Sequence, residues 1–481
     1  MSNLKKNVSY NIFYQILNII MPLVTTPYIA RVIGAEGVGV YSYTYAVVQY
    51  FMLFIMLGLN NYGNRAIAKC KDNIAEVREN FWNIYAVQFI CFCLVTIVYL
   101  IYVVLKNEYK NIFITQYIYI LAAGIDINWF FYGLEKFKIT VMRNVVIKFI
   151  LMILIFVFVK NKNSLVLYTF LMAIAMLLSN GILWFYQRKI ITYSKPTYKN
   201  MIVHLKKNII LFIPVLAISF YNVMDKIMIG GMLNVTEVGL YENAEKIINV
   251  PLNVLTAFGV AMLPHATNLL ANKKEEKVIE YINKTMKLTL FMAFPIIIGI
   301  YISADKIVIS YLGDEFRSSI VLVQFLTIII LFKIWANIIR TQYLIPKEKD
   351  TSYILSVIVG AILNVIFNII LIKRFGTIGA VYGTIIAELA VCIIQTASVS
   401  MELPIKQYLK YGFKYLIISL IMGCILILEK IILDKCIFNN LLYLCVLILS
   451  GIAIYVLLNL HYVKTIIKEI ILNKEIKEEK L

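Results

Sequence analysis

The sequence predicts an all-α polytopic membrane protein of about fourteen transmembrane helices: two six-helix bundles in a pseudo-twofold parallel repeat, then two C-terminal helices. Three observations carry this. Of 481 residues, 61% are hydrophobic and only 15% charged, with a mean hydropathy of +0.82; ordinary globular domains carry roughly 25% charge, and no soluble core could hide so much apolar surface. Apolar runs near the length needed to cross roughly 30 Å of hydrocarbon recur from one end to the other. The alternation expected of membrane barrel strands is absent, so the runs are helices.

Taken in order, the run at 10–31 carries Asn11, Gln15, Asn18 and Pro22 and ends without a small-residue cleavage site. It therefore reads as a spanning helix and not as a signal peptide. Runs at 39–61 and 81–105 flank a basic loop, Arg65 to Arg78, and those at 112–132, 140–159 and 165–187 complete the first six. A second basic loop, Arg188 to Lys207, leads to 208–231, 239–265, 286–304, 319–345, 352–372 and 377–399, with basic Lys273 to Lys287 between the second and third of these. The runs at 411–429 and 440–463 follow, then a basic tail from Lys464. The expected divisions are thus 1–205, 206–400, 401–463 and 464–481.

The net charge of +19 is a topology signal. With the amino terminus inside, most of the Lys and Arg fall on cytoplasmic segments, which places both termini in the cytoplasm. The basic loops lack the interleaved aromatics of a nucleic-acid surface. Loops stay within about twenty residues, so no room exists for an appended catalytic domain. Cys70, Cys91, Cys93, Cys392, Cys424, Cys436 and Cys445 form no CxxC pair, and most read as apolar packing. His204, His265 and His461 are too dispersed for a metal site, and no GxSxG, HExxH, P-loop or DxD pattern stands out.

An internal repeat organises the runs. Residues 30–49, ARVIGAEGVGVYSYTYAVVQ, align with 230–249, GGMLNVTEVGLYENAEKIIN, setting Val38-Gly39-Val40-Tyr41 over Val238-Gly239-Leu240-Tyr241. A second echo pairs FYGLEKFKITVMRN from Phe131 with YLIPKEKDTSYILS from Tyr343. Six helices per repeat make the duplication parallel, the architecture of transporters that rock one half against the other.

Polar residues mark helix faces. Glu242, Glu245, Lys246, Asn249 and Asn253 share one face of the eighth run; Lys333, Asn337 and Arg340 line the tenth; Ser356, Gly360, Asn364 and Asn368 line the eleventh. Ionisable groups within the membrane usually face a bundle interior and pair there. Asp225 and Lys226 are adjacent, as are Glu245 and Lys246, so each needs a partner from elsewhere. The interfacial alternative for Glu242, Glu245 and Lys246 stays open. Arg143, Lys148, Lys226, Lys246, Lys333 and Arg340 outnumber Asp126, Asp225, Glu242, Glu245 and Glu388, which suits an anionic cargo such as a phosphate.

The stretches ARVIGAEGVGVYSYTYAVVQYF, LGLNNYGNRAIA, INWFFYGLEKFK, MDKIMIGGMLNVTEVGLYENAEKI and MLPHATNLL resemble those of the polysaccharide-biosynthesis repeat-unit flippases, of the multidrug/oligosaccharidyl-lipid/polysaccharide exporter superfamily. The resemblance runs from about residue 5 to 400. It implies a multidrug and toxin extrusion-like fold, and transfer of undecaprenyl-diphosphate-linked oligosaccharide to the outer leaflet of the bacterial cytoplasmic membrane by alternating access, for O-antigen or capsule. The implied partners are the lipid-linked substrate, the bilayer, and a polysaccharide polymerase and chain-length regulator, with no nucleic acid and a monomer as the default. Arg31 and Arg143 are candidates for the cavity arginines of lipid II flippases in that superfamily. Asp225, Glu245 and Glu388 are candidate carriers of a coupling H+ or Na+, and no other cofactor is implied. A multidrug antiporter is the rival within the superfamily; a membrane glycosyltransferase or polymerase is the enzymatic one, disfavoured by the short external loops.

Overall fold

In the computed structural model, residues 2–272, 274–436, 439–462 and 464 are described, and none of them lies in a strand. The side chains of Asn11, Gln15 and Asn18 and the tail from 465 onward lie outside the described residues. The helices are α1 (Ser2–Met56), α2 (Leu59–Cys70), α3 (Ile74–Leu105), α4 (Lys110–Gly124), α5 (Asn128–Gly133), α6 (Phe137–Phe158), α7 (Leu165–Gln187), α8 (Tyr198–Met232), α9 (Val235–Ala271), α10 (Glu275–Tyr311), α11 (Ser319–Ile339), α12 (Asp350–Phe375), α13 (Thr377–Ala397), α14 (Ile405–Cys436) and α15 (Asn440–Leu458).

Eleven helical stretches among the described residues are long and apolar enough to cross a membrane. Three further features reconcile this with the expected fourteen spans. Gly34, at φ 79° and ψ 175°, divides α1 into two arms, so the gap between the expected runs at 10–31 and 39–61 shrinks to one non-helical residue; glycine takes that positive φ at no steric cost. Helix α9 has the length, with Glu237, Glu242, Glu245 and Lys246 confined to its first third and no charged residue over 247–264. Helix α15 has a shorter apolar core, Leu442–Leu458.

Two expected elements are cut differently. The run at 112–132 breaks between α4 and α5, and the freed carbonyls are taken up by side chains: Asn180 Nδ2 donates to Ala122 O, Gln88 Nε2 to Ala123 O and Asp126 O, and Trp184 Nε1 to Ile125 O, each at 2.9 Å. In a membrane interior the broken backbone can persist only with such partners. Asp305 and Lys306, beyond the expected run at 286–304, lie within α10, which runs on to Tyr311.

The chain packs into two compact units: Met1–Asn243 with Val357–Gly383, and Ala244–Ser356 with Thr384–Leu481. In the first, Phe81, Trp129, Phe130 and Phe131 centre one core, while Val48, Tyr99, Phe113 and Ile120 centre another. In the second, Met286, Leu290, Ile339, Tyr343 and Tyr415 form the main core, and Met422, Leu426, Tyr443 and Leu447 hold the last two helices. Leu94, Ile97, Ile101 and Val104 of α3, and Phe413, Leu420, Leu428 and Ile432 of α14, remain exposed, which a helix facing lipid tolerates and one facing water does not.

The second echo of the repeat recurs as geometry. Glu135 and Glu348 both adopt left-handed φ, 56° and 57°. The next amide bonds back five residues in each case, Lys136 N to Phe131 O at 2.9 Å and Lys349 N to Leu344 O at 2.8 Å. The same turn is built twice, one residue out of the register that sequence alignment suggests.

Candidate functional site

Within the first unit, the two copies of the glycine-bearing motif meet. A Cβ on Gly39 would stand 1.7 Å from Val235 O and 3.0 Å from Gly239 N, and a Cβ on Gly239 would stand 2.0 Å from Ala35 O and 3.0 Å from Gly39 N. Glycine at both positions lets the backbones approach as no other residue allows. Val238, Gly239 and Tyr241 of α9 are correspondingly buried.

From this junction the two motif tyrosines diverge. Tyr241 donates from its hydroxyl to Asp225 Oδ2 at 2.8 Å, and Asn368 Nδ2 donates to Asp225 Oδ1 at 2.5 Å, leaving Asp225 only 5% exposed. Asn368 Nδ2 also reaches Asn364 Oδ1 at 3.3 Å. Asn364 Nδ2 and Asn368 Oδ1 are buried without a hydrogen-bond partner among the described residues. Next to this group Lys226 Nζ lies 2.5 Å from Glu242 Oε2. Asp225 and Lys226 thus diverge as successive helical residues must, one meeting Tyr241 and the other Glu242. Thr377, opening α13, donates to Glu237 in the first turn of α9.

Tyr41 instead shares a hydrogen bond with Tyr119, hydroxyl to hydroxyl at 2.8 Å. It stacks on Tyr45 with centroids 5.6 Å apart and meets the edge of Tyr168 at 5.0 Å, while Tyr45 contacts Tyr119 at 4.9 Å. Tyr45 feels the charges of both Lys226 and Glu242.

The other end of the same unit holds Arg143, 7% exposed, whose Nη2 donates to Asn128 Oδ1 at 3.0 Å and Asn144 Oδ1 at 2.9 Å. Asn128 in turn donates through Nδ2 to Asp126 Oδ1 at 2.7 Å and Asn180 Oδ1 at 3.2 Å. Arg143 is therefore built into the support of the α4–α5 break. Arg31 is exposed and Lys148 half-buried.

In the second unit Lys333 Nζ lies 3.0 Å from Glu388 Oε1, and Glu388 is 3% exposed. Asn337, one turn from Lys333, is 6% exposed, with Oδ1 only 2.2 Å from where a Gly259 Cβ would stand. Arg340 opens a π-helical turn, Arg340–Leu344, and lies over the Tyr353 ring at 5.5 Å. Glu245, Lys246 and Asn249 are half-buried on α9. In the loop beyond α13, Glu402 accepts hydrogen bonds from Lys349 and Tyr343, which hold its carboxyl down at about 2.

Among the residues singled out from sequence, the structure joins Lys226 to Glu242 and Lys333 to Glu388. It gives Asp225 two partners that were outside the candidate set, Tyr241 and Asn368. Both carried a signal: Tyr241 closes the repeated motif, and Asn368 shares the α12 stripe with Asn364. In the tyrosine cluster, Tyr41 closes the first copy of the same motif, whereas Tyr119 and Tyr168 carried no signal, because tyrosines are frequent throughout the chain. Among the described residues, no group of three or more His, Cys, Asp or Glu could hold a metal ion.

Comparison with known proteins places this geometry in a family. A family model described as "Polysaccharide biosynthesis protein" matches residues 4–270, and one described as "Lipid II flippase MurJ" matches 139–447. A Shigella dysenteriae protein named "Putative O-antigen transporter" is 25% identical over 407 residues, 82% of this chain and 100% of that protein. A Haloferax volcanii protein named "Probable low-salt glycan biosynthesis flippase Agl15" is 25% identical over 245 residues, 50% of this chain and 51% of that protein. Among solved structures, a lipid II flippase MurJ in an inward closed conformation superposes with a TM-score of 0.71 at 16% identity, covering 96% of this chain and 99% of that one. An inward-facing multidrug resistance MATE family transporter gives 0.58 at 13% identity, over 76% of this chain and 93% of that one. At these identities the structural likeness establishes the fold.

Proposed function

The chain belongs to the polysaccharide biosynthesis protein family, and from that premise we propose that it is a flippase for undecaprenyl-diphosphate-linked oligosaccharide repeat units. It carries them from the inner to the outer leaflet of the bacterial cytoplasmic membrane, with both of its own termini in the cytoplasm. The observation that best supports this reading is the polar layer inside the first unit, where Asp225, Tyr241 and Asn368 adjoin the Lys226–Glu242 pair. Burying such groups in a spanning bundle is costly unless they serve a hydrated path. The names of the relatives, "Putative O-antigen transporter", "Probable low-salt glycan biosynthesis flippase Agl15" and "Lipid II flippase MurJ", support the same class of cargo.

In this reading the protein moves its substrate without making or breaking a covalent bond. The sugars and diphosphate cross in the polar interior while the prenyl chain stays in lipid, and the six-helix halves, 1–205 and 206–400, rock to reverse access. Asp225 is the carrier we assign to the coupling H+ or Na+: its carboxylate is buried, and the amide oxygen of Asn368 beside it has spare acceptor capacity. Glu388, met by Lys333, is less suited to that task. The protein works as a monomer beside a polymerase and a chain-length regulator.

The test is deletion of the gene in its native host. Lipid-linked repeat units should accumulate in the inner leaflet and surface polymer should disappear, with recovery on return of the wild-type gene. Unchanged polymer export in a host without a second flippase would overturn the reading.

A further inference from the structure

We infer that the tyrosine cluster of the first unit is a saccharide subsite, with Tyr45 and Tyr168 as sugar-ring platforms and Glu242 and Gln49 as partners for sugar hydroxyls. The inference rests on the flippase reading and goes beyond it by naming where the carbohydrate, as distinct from the diphosphate or the lipid, is held.

Three observations carry it. First, depth: Tyr45 lies eleven residues past Gly34, Lys226 six residues before the end of α8 and Glu242 seven residues into α9. These three are therefore about 9 to 17 Å along their helices from the same end of the unit, with Tyr168, three residues into α7, nearer that end. Second, chemistry: Tyr45 and Tyr168 both contact Tyr41, and Tyr119 contacts Tyr41 and Tyr45, so the four form one cluster in which all but Tyr119 are only half-buried. Tyr45 hydrogen-bonds Gln49 and lies within the field of Lys226 and Glu242, and Tyr168 is within the field of Glu242. A pyranose presents C–H faces and a rim of hydroxyls. The negative face of an aromatic ring suits the first, and a carboxylate or amide suits the second. Third, residual capacity: Gln116, fully buried on α4 one turn from Tyr119, donates to Thr44 Oγ1 at 2.9 Å, while its Oε1 has no hydrogen-bond partner among the described residues. Plain apolar packing would favour Phe and Leu, which fill the space without buried polar atoms.

The test uses the full-length protein in detergent and counts bound lipid by native mass spectrometry. The probes are bare undecaprenyl diphosphate and the oligosaccharide-linked carrier extracted from cells lacking the gene. Wild type should prefer the linked form. Tyr45→Leu, and independently Tyr168→Leu, should weaken binding of the linked form roughly tenfold and leave the bare carrier unchanged, while Tyr45→Phe stays within about twofold of wild type. Equal loss for both lipids would reduce the cluster to core packing. Undiminished binding of the linked form in both leucine variants, or equal wild-type affinity for the two lipids, would also overturn the subsite. Binding of neither lipid by wild type would instead sink the flippase reading, and this inference with it.

Discussion

Replacing Gly39 or Gly239 with alanine should force apart the two copies of the repeated motif. The added methyl would stand 1.7 Å from Val235 O in one case and 2.0 Å from Ala35 O in the other, where real Cβ atoms essentially never come within 3.0 Å. The main chains must therefore separate by about 1 Å or more. Overpacking of that kind costs about 1–3 kcal/mol, which moves an equilibrium between joined and separated arrangements about five- to 150-fold. The measurement is the distance between spin labels at Glu36→Cys and Thr236→Cys, with the native cysteines changed to alanine. Either glycine variant should shift the population toward longer distances and lower the melting temperature. Gly231→Ala is the control: it lies in α8 with nothing within 4 Å of its added methyl, so helix propensity predicts a neutral or slightly stabilising effect. Wild-type distances and melting in both Gly39→Ala and Gly239→Ala would refute the steric argument.

Three further outcomes are expected. Lys333→Ala should cost about 3–5 kcal/mol because it strands Glu388, whose side chain is 4% exposed; Lys333→Met with Glu388→Gln should recover much of that, and additive losses in a melting-based double-mutant cycle would contradict the pairing. Asp225→Asn should abolish polysaccharide export with the protein still in the membrane, whereas Tyr241→Phe, which removes a hydrogen bond to the carboxylate, should reduce export in part at a stability cost of about 1.5–3 kcal/mol; full export by Asp225→Asn would clear the carboxylate of any coupling role. The Glu402 carboxyl titrates at about 2 in the fold against an ordinary 4.5, so its contribution is complete above about pH 4.5 and is lost as pH falls toward 2. With its side chain 34% exposed, solvent screening limits that contribution to about 1 kcal/mol; the melting difference between wild type and Glu402→Gln should close over that window, and a difference that persists at pH 2 would contradict the assignment.

The spans were legible because the signal for a membrane helix is local: an apolar run of sufficient length. The break between α4 and α5 was not: Gly124 and Asp126 mark the place, but the side chains that satisfy the break come from Gln88, Asn180 and Trp184, far along the chain. The ends of α10 were underestimated for the opposite reason. Lys and Glu stop a hydropathy window, yet the helix continues past the hydrocarbon, and Lys306 finds Asp434 at 2.9 Å. At the site, sequence located the charges and required that adjacent ones face different ways. It could not supply the partners, because Asn368 stands 143 residues from Asp225. Summing the stripe charges left one more base than acids, and the pairing of Lys226 with Glu242 and of Lys333 with Glu388 leaves that sum unchanged while showing which charges neutralise each other.

The glycine junction has a symmetry that its residue numbers display: Gly39 reaches Val235 as Gly239 reaches Ala35, each contact being the other shifted by two hundred residues. This is the isologous form found where two identical subunits meet across a dyad, here within one polypeptide. In a true homodimer, any change beside such an axis appears on both sides at once. Fusion of the copies removes that constraint. One tyrosine can then turn to a neighbouring hydroxyl while its counterpart holds a carboxylate, as Tyr41 and Tyr241 do. A symmetric seam thus becomes the origin of an asymmetric interior.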